Sequence, residues 1–208
     1  MLLCLPLATM KVIHIADEKG CFKMTYQDLL HKRRSHRELS ADVDVSNDEI
    51  SQALKTALDE APMAFGEQTP RVAVLLDGES QSYWEAVTRL NPDYADRYEK
   101  LGQAKGTVLF FEDRNHVYSL TDKYAIDESL ADRYSGENHG IAAVLSWLAL
   151  TDLGLDASLH HPRQQDTSKW AIPDHWTFKG ALVFGKGQDS VSEDKDSLYD
   201  KKGFSVYQ

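Results

Sequence analysis

The clearest structural signal in this chain is APMAFGEQTPRVAVLL, residues 61–76. A helix is predicted to end at Pro62, because proline removes a helical hydrogen bond and clashes with the preceding turn. A loop with Gly66 and Gln68 follows. From Arg71 the chain turns continuously apolar up to the turn residues that begin at Asp77, a pattern typical of a strand buried on both faces. The stretch therefore predicts a helix, a loop and a core strand in succession.

Two helices are predicted upstream of this stretch. Thr25 with Asp28 can cap a helix through YQDLLHKRR (26–34), and Ser46 with Glu49 forms a capping box. Apolar residues at helical spacing follow that box, which indicates one buried face on a helix that runs to the proline.

Further elements are predicted downstream, where turn residues alternate with apolar runs. One helix, GIAAVLSWLALTDLG (140–154), is apolar nearly all round, as a helix inside a core or an interface must be. The others are a DGES turn (77–80), a helix around Trp84, a helix from Asn91, buried strands TVLFFE (107–112) and ALVFG (181–185), and a C-terminal FSVY segment (204–207) able to pair as a strand.

Composition and apolar patterning predict one soluble domain over residues 24–208, preceded by an N-terminal extension at 1–23. The chain has 208 residues, is 42% hydrophobic and carries a formal net charge of -10, which argues against nucleic-acid and anionic-membrane partners. The apolar start is too short and too broken by Pro6 to span a membrane, although a weak signal peptide is an alternative. Cys4 and Cys21 form no disulfide or zinc pattern, so a reducing cytoplasm is expected.

A cluster of cationic residues, HKRRSHRELS (31–40), is unusual in so acidic a chain. Arg33, Arg34 and Arg37 could converge with the Ser35 hydroxyl on a phosphate monoester, because guanidinium groups match phosphate geometry. The alternative is a solvated helix end whose cations complement the helix dipole.

The loop of the opening stretch offers a second candidate contact. Gly66 lets a ligand approach the backbone closely, and the Gln68 amide can donate and accept, as the pyrimidine edge of a flavin requires. An ordinary helix-to-strand loop is the alternative. No metal site is expected at His139, His160 and His161, because the last two, if on a strand, point to opposite faces.

Taken in order, several motifs resemble the FMN-dependent nitroreductases, and more closely their fatty-acid-repression subgroup. The resemblance implies an α+β fold with a central, mostly antiparallel sheet flanked by helices. It also implies an intertwined homodimer with two FMN sites at the subunit interface. The motifs are RRSHR (33–37), residues 61–76, GTVLFFED (106–113), HGIAAVLSWLAL (139–150), LGLDASLHH (153–161) and FGK (184–186).

Carried over residue by residue, the resemblance implies a flavin site. Arg33, Arg34 and Ser35 would hold the phosphate and ribityl chain, and Arg37 would lie at the pyrimidine edge. The remaining implied contacts are Gly66 and Gln68 in the loop, the backbone of Ser158, Leu159 and His160 along the ring, and Lys201 and Lys202 at the phosphate. The chain departs from the family pattern at Met63 and Gly66, where Ser and Asn are usual, and at Gly203, where Arg is usual.

The implied activity is transfer of electrons from NADH or NADPH through FMN to a small nitroaromatic or quinone acceptor, by a ping-pong mechanism. No catalytic side chain is expected beyond Arg37 as an electrostatic stabiliser, because the flavin carries the chemistry. The alternative is a non-catalytic flavin-binding or regulatory protein in redox or lipid signalling. A protein that has lost the cofactor is a third reading.

Overall fold

The computed structural model describes residues 24–192, 199 and 203–208. The predicted extension at 1–23, as well as Lys201 and Lys202, lies outside these residues. Six helices are numbered in chain order: α1 Tyr26–Lys32, α2 Asn47–Asp59, α3 Gly78–Leu90, α4 Ala95–Leu101, α5 Arg114–Tyr124 and α6 Glu128–Asp152. Five strands complete the described fold: β1 Leu39–Ser40, β2 Pro70–Leu76, β3 Gly106–Asp113, β4 Asp156–His160 and β5 Trp176–Gly187.

The five strands form one antiparallel sheet, as the predicted fold class requires. β3 lies between β2 and β5, with Pro70 opposite Glu112 on one side and Gly106 opposite Phe184 on the other. β4 runs along β5, and the short β1 pairs with the last two residues of β5.

Helices cover both faces of the sheet, and this explains the continuous apolar runs of its central strands. Leu109 and Phe111 of β3 join one buried cluster with Trp84 of α3. Val108 and Phe110, which alternate with them, join a second cluster with Leu150 of α6. Because both faces of β3 are buried, no polar alternation is present in TVLFFE.

The two predicted capping boxes are confirmed. The Thr25 hydroxyl accepts from the Asp28 backbone while the Asp28 carboxylate accepts from Thr25, and Ser46 and Glu49 make the same reciprocal pair. α1 ends at Lys32, two residues before the predicted end, and α2 ends at Asp59, ahead of the proline.

The predicted DGES turn is confined to Asp77, and the next three residues already belong to α3. Asp77 has a positive φ of 51°, and the chain enters the helix directly at Gly78. Lys105 and Asn47 bind the Asp77 carboxylate at 2.7 and 2.9 Å, which holds the corner without further loop residues. At the C-terminus, residues 204–207 make no strand pairing with the rest of the described chain.

Helix α5 and the first half of α6 were missed by the sequence pattern. Their shared core is small, with Val117 and Leu120 packing against Ala131, so the apolar periodicity is weak. Each begins at an aspartate: Asp113 accepts from the His116 backbone, and Asp127 accepts from the Leu130 backbone. Within the described residues, no helix has the length and apolar character needed to cross a bilayer.

Candidate flavin site

The cationic segment after α1 is held beside the edge of β4. Ser35 forms a parallel bridge with Ala157, and the His36 backbone donates to the Ala157 carbonyl at 3.1 Å. Among the residues that the structure describes, no strand longer than this single bridge pairs with that edge of β4. The predicted contacts at 33–37 and 158–160 therefore do come together.

A clamp of three side chains fixes this segment. The His36 ring lies 3.0 Å from Asp189 and 3.4 Å from Asp156. Asp189 also accepts from the Arg37 backbone at 3.0 Å. A side chain at Gly187 would lie 2.6 Å from His36 Nδ1, so glycine is needed for this close packing.

Arg33 is held by an aromatic ring rather than by a described carboxylate. Its guanidinium stacks over the Trp147 ring, 4.7 Å from the centroid. Burial and the charge of Arg34 lower the Arg33 pKa, yet a guanidinium remains charged at neutral pH. None of the ion pairs found among the described residues includes Arg33, and the buried Trp147 Nε1 has no hydrogen-bond partner there.

Arg34 and Arg37 each make contacts of their own, and their convergence with Arg33 on one anion stays a prediction. Arg34 donates to the Ser192 carbonyl at 2.8 Å and to the His31 carbonyl at 3.2 Å. Asp189 accepts a hydrogen bond from the Arg37 backbone, and the Arg37 side chain lines a separate cavity. Arg34 is therefore placed as a tether for the C-terminal segment.

That cavity, of about 370 Å³, lies between the Arg37 segment and α4. Arg97 and Lys100 from α4 line it together with Arg37, Glu38 and Asp96. Lys100 pairs with Glu38 at 2.6 Å, whereas no carboxylate in the described part of the chain pairs with Arg37 or Arg97. Neither Arg97 nor Lys100 was predicted from the sequence; their spacing of three residues on one helix face was the available signal.

The His160 ring lies beside these two unpaired guanidiniums. Arg97 Nη2 is 3.1 Å from His160 Nδ1, and only 3% of His160 is exposed. Burial, followed by the charges of Arg97 and Arg37, lowers the His160 pKa to about 4. Since Arg97 can only donate, Nδ1 accepts, and the neutral ring carries its proton on Nε2, which is buried without a partner among the described residues.

The predicted loop contacts lie on a turn with unusual backbone geometry. Phe65 and Gly66 are consecutive left-handed residues, with φ of 58° and 71°. Gly66 and Gln68 are exposed, and the Gln68 amide reaches the Leu58 carbonyl at only 3.5 Å, so both remain available to a ligand. Ser158 is 4% exposed, and Leu159 lies between it and His160 on β4.

Comparison with known proteins identifies the family to which this chain belongs. Residues 30–186 match the sequence model of the Nitroreductase family.

The chain belongs to the nitroreductase family.

Among curated relatives of this nitroreductase are two proteins of Saccharomyces cerevisiae. HBN1 is 28% identical over 77% of this chain and 87% of its own length, and the nitroreductase FRM2 is 27% identical over 77% and 86%. Among solved structures, the nitroreductase CinD from Lactococcus lactis in complex with 4-nitrophenol is 28% identical. It has a TM-score of 0.79, and the match covers 88% of this chain and all of that one. The protein is an oxidoreductase with the α+β nitroreductase fold.

Proposed function

We propose that this nitroreductase binds FMN and passes electrons from NADH or NADPH to small nitroaromatic or quinone acceptors. The observation that supports this best is the pair of cationic groups near opposite ends of β4. Arg33 and Ser35 lie near Ala157, and Arg37 and Arg97 lie near His160. Three residues of strand separate these ends by about 10 Å, and because side chains three positions apart lie on opposite faces of a strand, a ligand that contacts both ends would run along the edge of β4. A ligand with a phosphate at one end and an electron-accepting ring at the other suits that arrangement.

The residues present fit FMN by their chemistry. Arg33 offers guanidinium donors that no described carboxylate takes, and the exposed Ser35 adds a hydroxyl, a set that suits a phosphate. At the other end, the buried Nε2 of His160 lacks an acceptor, and flavin rings carry carbonyl and nitrogen acceptors. In this proposal the loop residues Gly66 and Gln68 and the backbone of Ser158 and Leu159 complete the ring contacts.

The bound FMN would supply the redox chemistry, and the protein would supply position and charge. Arg37 and Arg97 would place positive charge beside the flavin ring, which would favour its reduced form. His160 stays neutral at physiological pH, so it contributes a hydrogen bond without adding a third cation. Lys201 and Lys202, outside the described residues, are proposed as further phosphate contacts.

We further propose that the active form is a homodimer. Leu30 of α1 is 40% exposed and Val144 of α6 is 49% exposed, so packed helices leave apolar side chains in solvent. Such surface favours association with a second copy. Light scattering at micromolar concentration is expected to give the dimer mass, and a monomer mass would contradict the proposal.

The proposed class of electron acceptor is supported by solved structures of CinD, whose complexes contain 4-nitrophenol and chloramphenicol. Steady-state oxidation of NADH or NADPH, measured with a nitroaromatic and with a quinone, tests the assignment. Parallel lines in double-reciprocal plots are expected for a ping-pong mechanism. Absence of acceptor-dependent oxidation by FMN-loaded protein would contradict catalysis and favour the non-catalytic flavin-binding alternative.

A further inference from the structure

The loop Met63–Thr69 holds a backbone conformation that its own residues do not favour. Phe65 has a φ of 58°, in the left-handed region that costs free energy for any residue except glycine. Three local hydrogen bonds are the loop's own support: Gly66 donates to the Met63 carbonyl, Glu67 to the Ala64 carbonyl and Thr69 to the Glu67 carbonyl. Strained backbone of this kind persists only where the surroundings impose it.

Asn138 of α6 holds the backbone of this loop from below. Its Oδ1 accepts from the Ala64 amide at 2.8 Å, and its Nδ2 donates to the Glu67 carbonyl at 3.0 Å. Nδ2 also donates to the Thr69 hydroxyl at 3.1 Å. Asn138 is only 1% exposed, so its bonds to the loop are protected from competing water. One buried amide thus fixes both ends of the left-handed pair.

Glu67 holds the same loop from the side of α5. Its carboxylate accepts from His116 Nε2 at 2.9 Å and from the Tyr124 hydroxyl at 2.7 Å, and it also pairs with Lys123. These hydrogen bonds, that of Lys123 being the largest contribution, lower the Glu67 pKa to about 2. Arg71 donates to His116 Nδ1 at 3.2 Å, which directs the His116 proton on Nε2 toward Glu67.

The side chain of Phe65 adds the third support. Its ring stacks on Tyr124 with centroids 4.2 Å apart, and it meets Tyr134 edge-on at 5.0 Å. The residue is nevertheless 47% exposed, so burial alone does not account for its conformation. Polar contacts at Asn138 and Glu67 therefore bear most of the constraint.

We propose that Asn138 and Glu67 are positioning residues for FMN. They hold the loop in the left-handed form that presents Gly66 and Gln68 to the flavin, and neither needs to touch the cofactor. This inference rests on the proposed function, because it assumes that the loop contacts FMN.

A matched control exists in Asn91. It is 6% exposed, and its amide makes three bonds as well: it donates to the Val87 and Gln164 carbonyls and accepts from the Gln164 amide. Replacing it removes a buried amide of the same kind from a loop with no proposed flavin contact. The variants are Asn138→Ala, Glu67→Ala, Glu67→Gln and Asn91→Ala, each prepared without flavin.

FMN is titrated into each variant by fluorescence quenching, and thermal melting without FMN is recorded in parallel. We expect Asn138→Ala and Glu67→Ala to raise the FMN dissociation constant about tenfold or more, and Asn91→Ala to change it less than about twofold. This contrast should hold although Asn138→Ala and Asn91→Ala lower the melting temperature similarly. Glu67→Gln, which keeps an acceptor for Tyr124, should recover part of the affinity. The visible circular dichroism of flavin at saturation should change in Asn138→Ala and not in Asn91→Ala.

The outcomes separate the two proposals. If the unsubstituted protein binds FMN and both alanine variants at the loop bind it as tightly as Asn91→Ala does, the positioning role is wrong and the proposed function stands. If Asn138→Ala does not fold, Glu67→Ala alone decides, because the Glu67 side chain, 14% exposed, belongs to none of the hydrophobic clusters found among the described residues. If the unsubstituted protein binds no FMN, the proposed function fails, and the positioning role fails with it.

Discussion

Replacing Arg33 by alanine should weaken FMN binding more than it weakens the fold. In the fold, Arg33 contributes the stacking contact with Trp147, and a cation over a ring in a half-buried place stabilises by about 0.5 to 2 kcal/mol. In the complex, it would add charge-assisted hydrogen bonds to phosphate of about 1.5 to 3 kcal/mol. At about 1.4 kcal/mol per factor of ten, the expected loss of affinity is roughly 10-fold to 150-fold.

Flavin fluorescence titration at two salt concentrations measures this loss. Arg89→Ala serves as the charge control, because Arg89 is exposed on α3 and its replacement removes the same formal charge. Arg33→Lys keeps the charge but loses the planar donor fork, so its affinity should fall between those of the alanine variant and the unsubstituted protein. Added salt weakens long-range attraction in both alanine variants and should leave the difference between them largely intact. Equal dissociation constants for Arg33→Ala and Arg89→Ala would refute the phosphate assignment.

Four further outcomes are expected. His160, neutral in the fold with a pKa of about 4 against about 6.5 when unfolded, takes up a proton only on unfolding. The contribution of the neutral His160 ring to the free energy of unfolding should therefore be fully present above pH 6.5. As the pH drops to 4, the free energy of unfolding should fall by up to about 3 kcal/mol, and by less in His160→Gln, as measured by urea unfolding across that range. Gly187→Ala should lower the melting temperature measurably, because the new methyl group would collide with His36; an unchanged value would mean that the clamp yields freely. Arg37→Ala should lower the midpoint potential of bound FMN by about 30 to 60 mV, equivalent to 1.5 to 3 kcal/mol for two electrons, and an unchanged potential in redox titration would remove Arg37 from the ring. Deleting residues 1–22 should leave the melting temperature and FMN content nearly unchanged, as expected if 24–208 is the folding unit; a large fall would show that the extension packs.

Local physics made much of the fold predictable from the sequence. The apolar runs of β3 and β5 have no polar alternation, since helices cover both faces of the sheet, whereas β2, predicted as a core strand, lies at the sheet edge with only Leu75 buried. The capping boxes at Thr25 and Ser46 could be read because each is complete within four residues. Helix α5 escaped because its short apolar face touches only a small satellite core.

The candidate site was predictable only in part, because much of it depends on tertiary contacts. The motif RRSHR marked residues 33–37 as a candidate site, but it gave no sign that Ser35 would bridge to β4 or that Arg34 would turn to Ser192. Nor did the sequence indicate that Arg97 would reach His160, since 63 positions separate them in the chain. Asn138 likewise reads as one polar residue in a helix until the loop above it is seen.

The most direct test of the central assignment is anaerobic absorption spectroscopy of the FMN-loaded protein. Excess free FMN is removed first, and NADH or NADPH is then added in stoichiometric amounts. We expect one or both donors to bleach the visible flavin band, and we expect the band to return when a nitroaromatic or quinone acceptor is added. Bound flavin that neither donor bleaches would contradict the proposed oxidoreductase reaction, and protein that retains no flavin would contradict the FMN site itself.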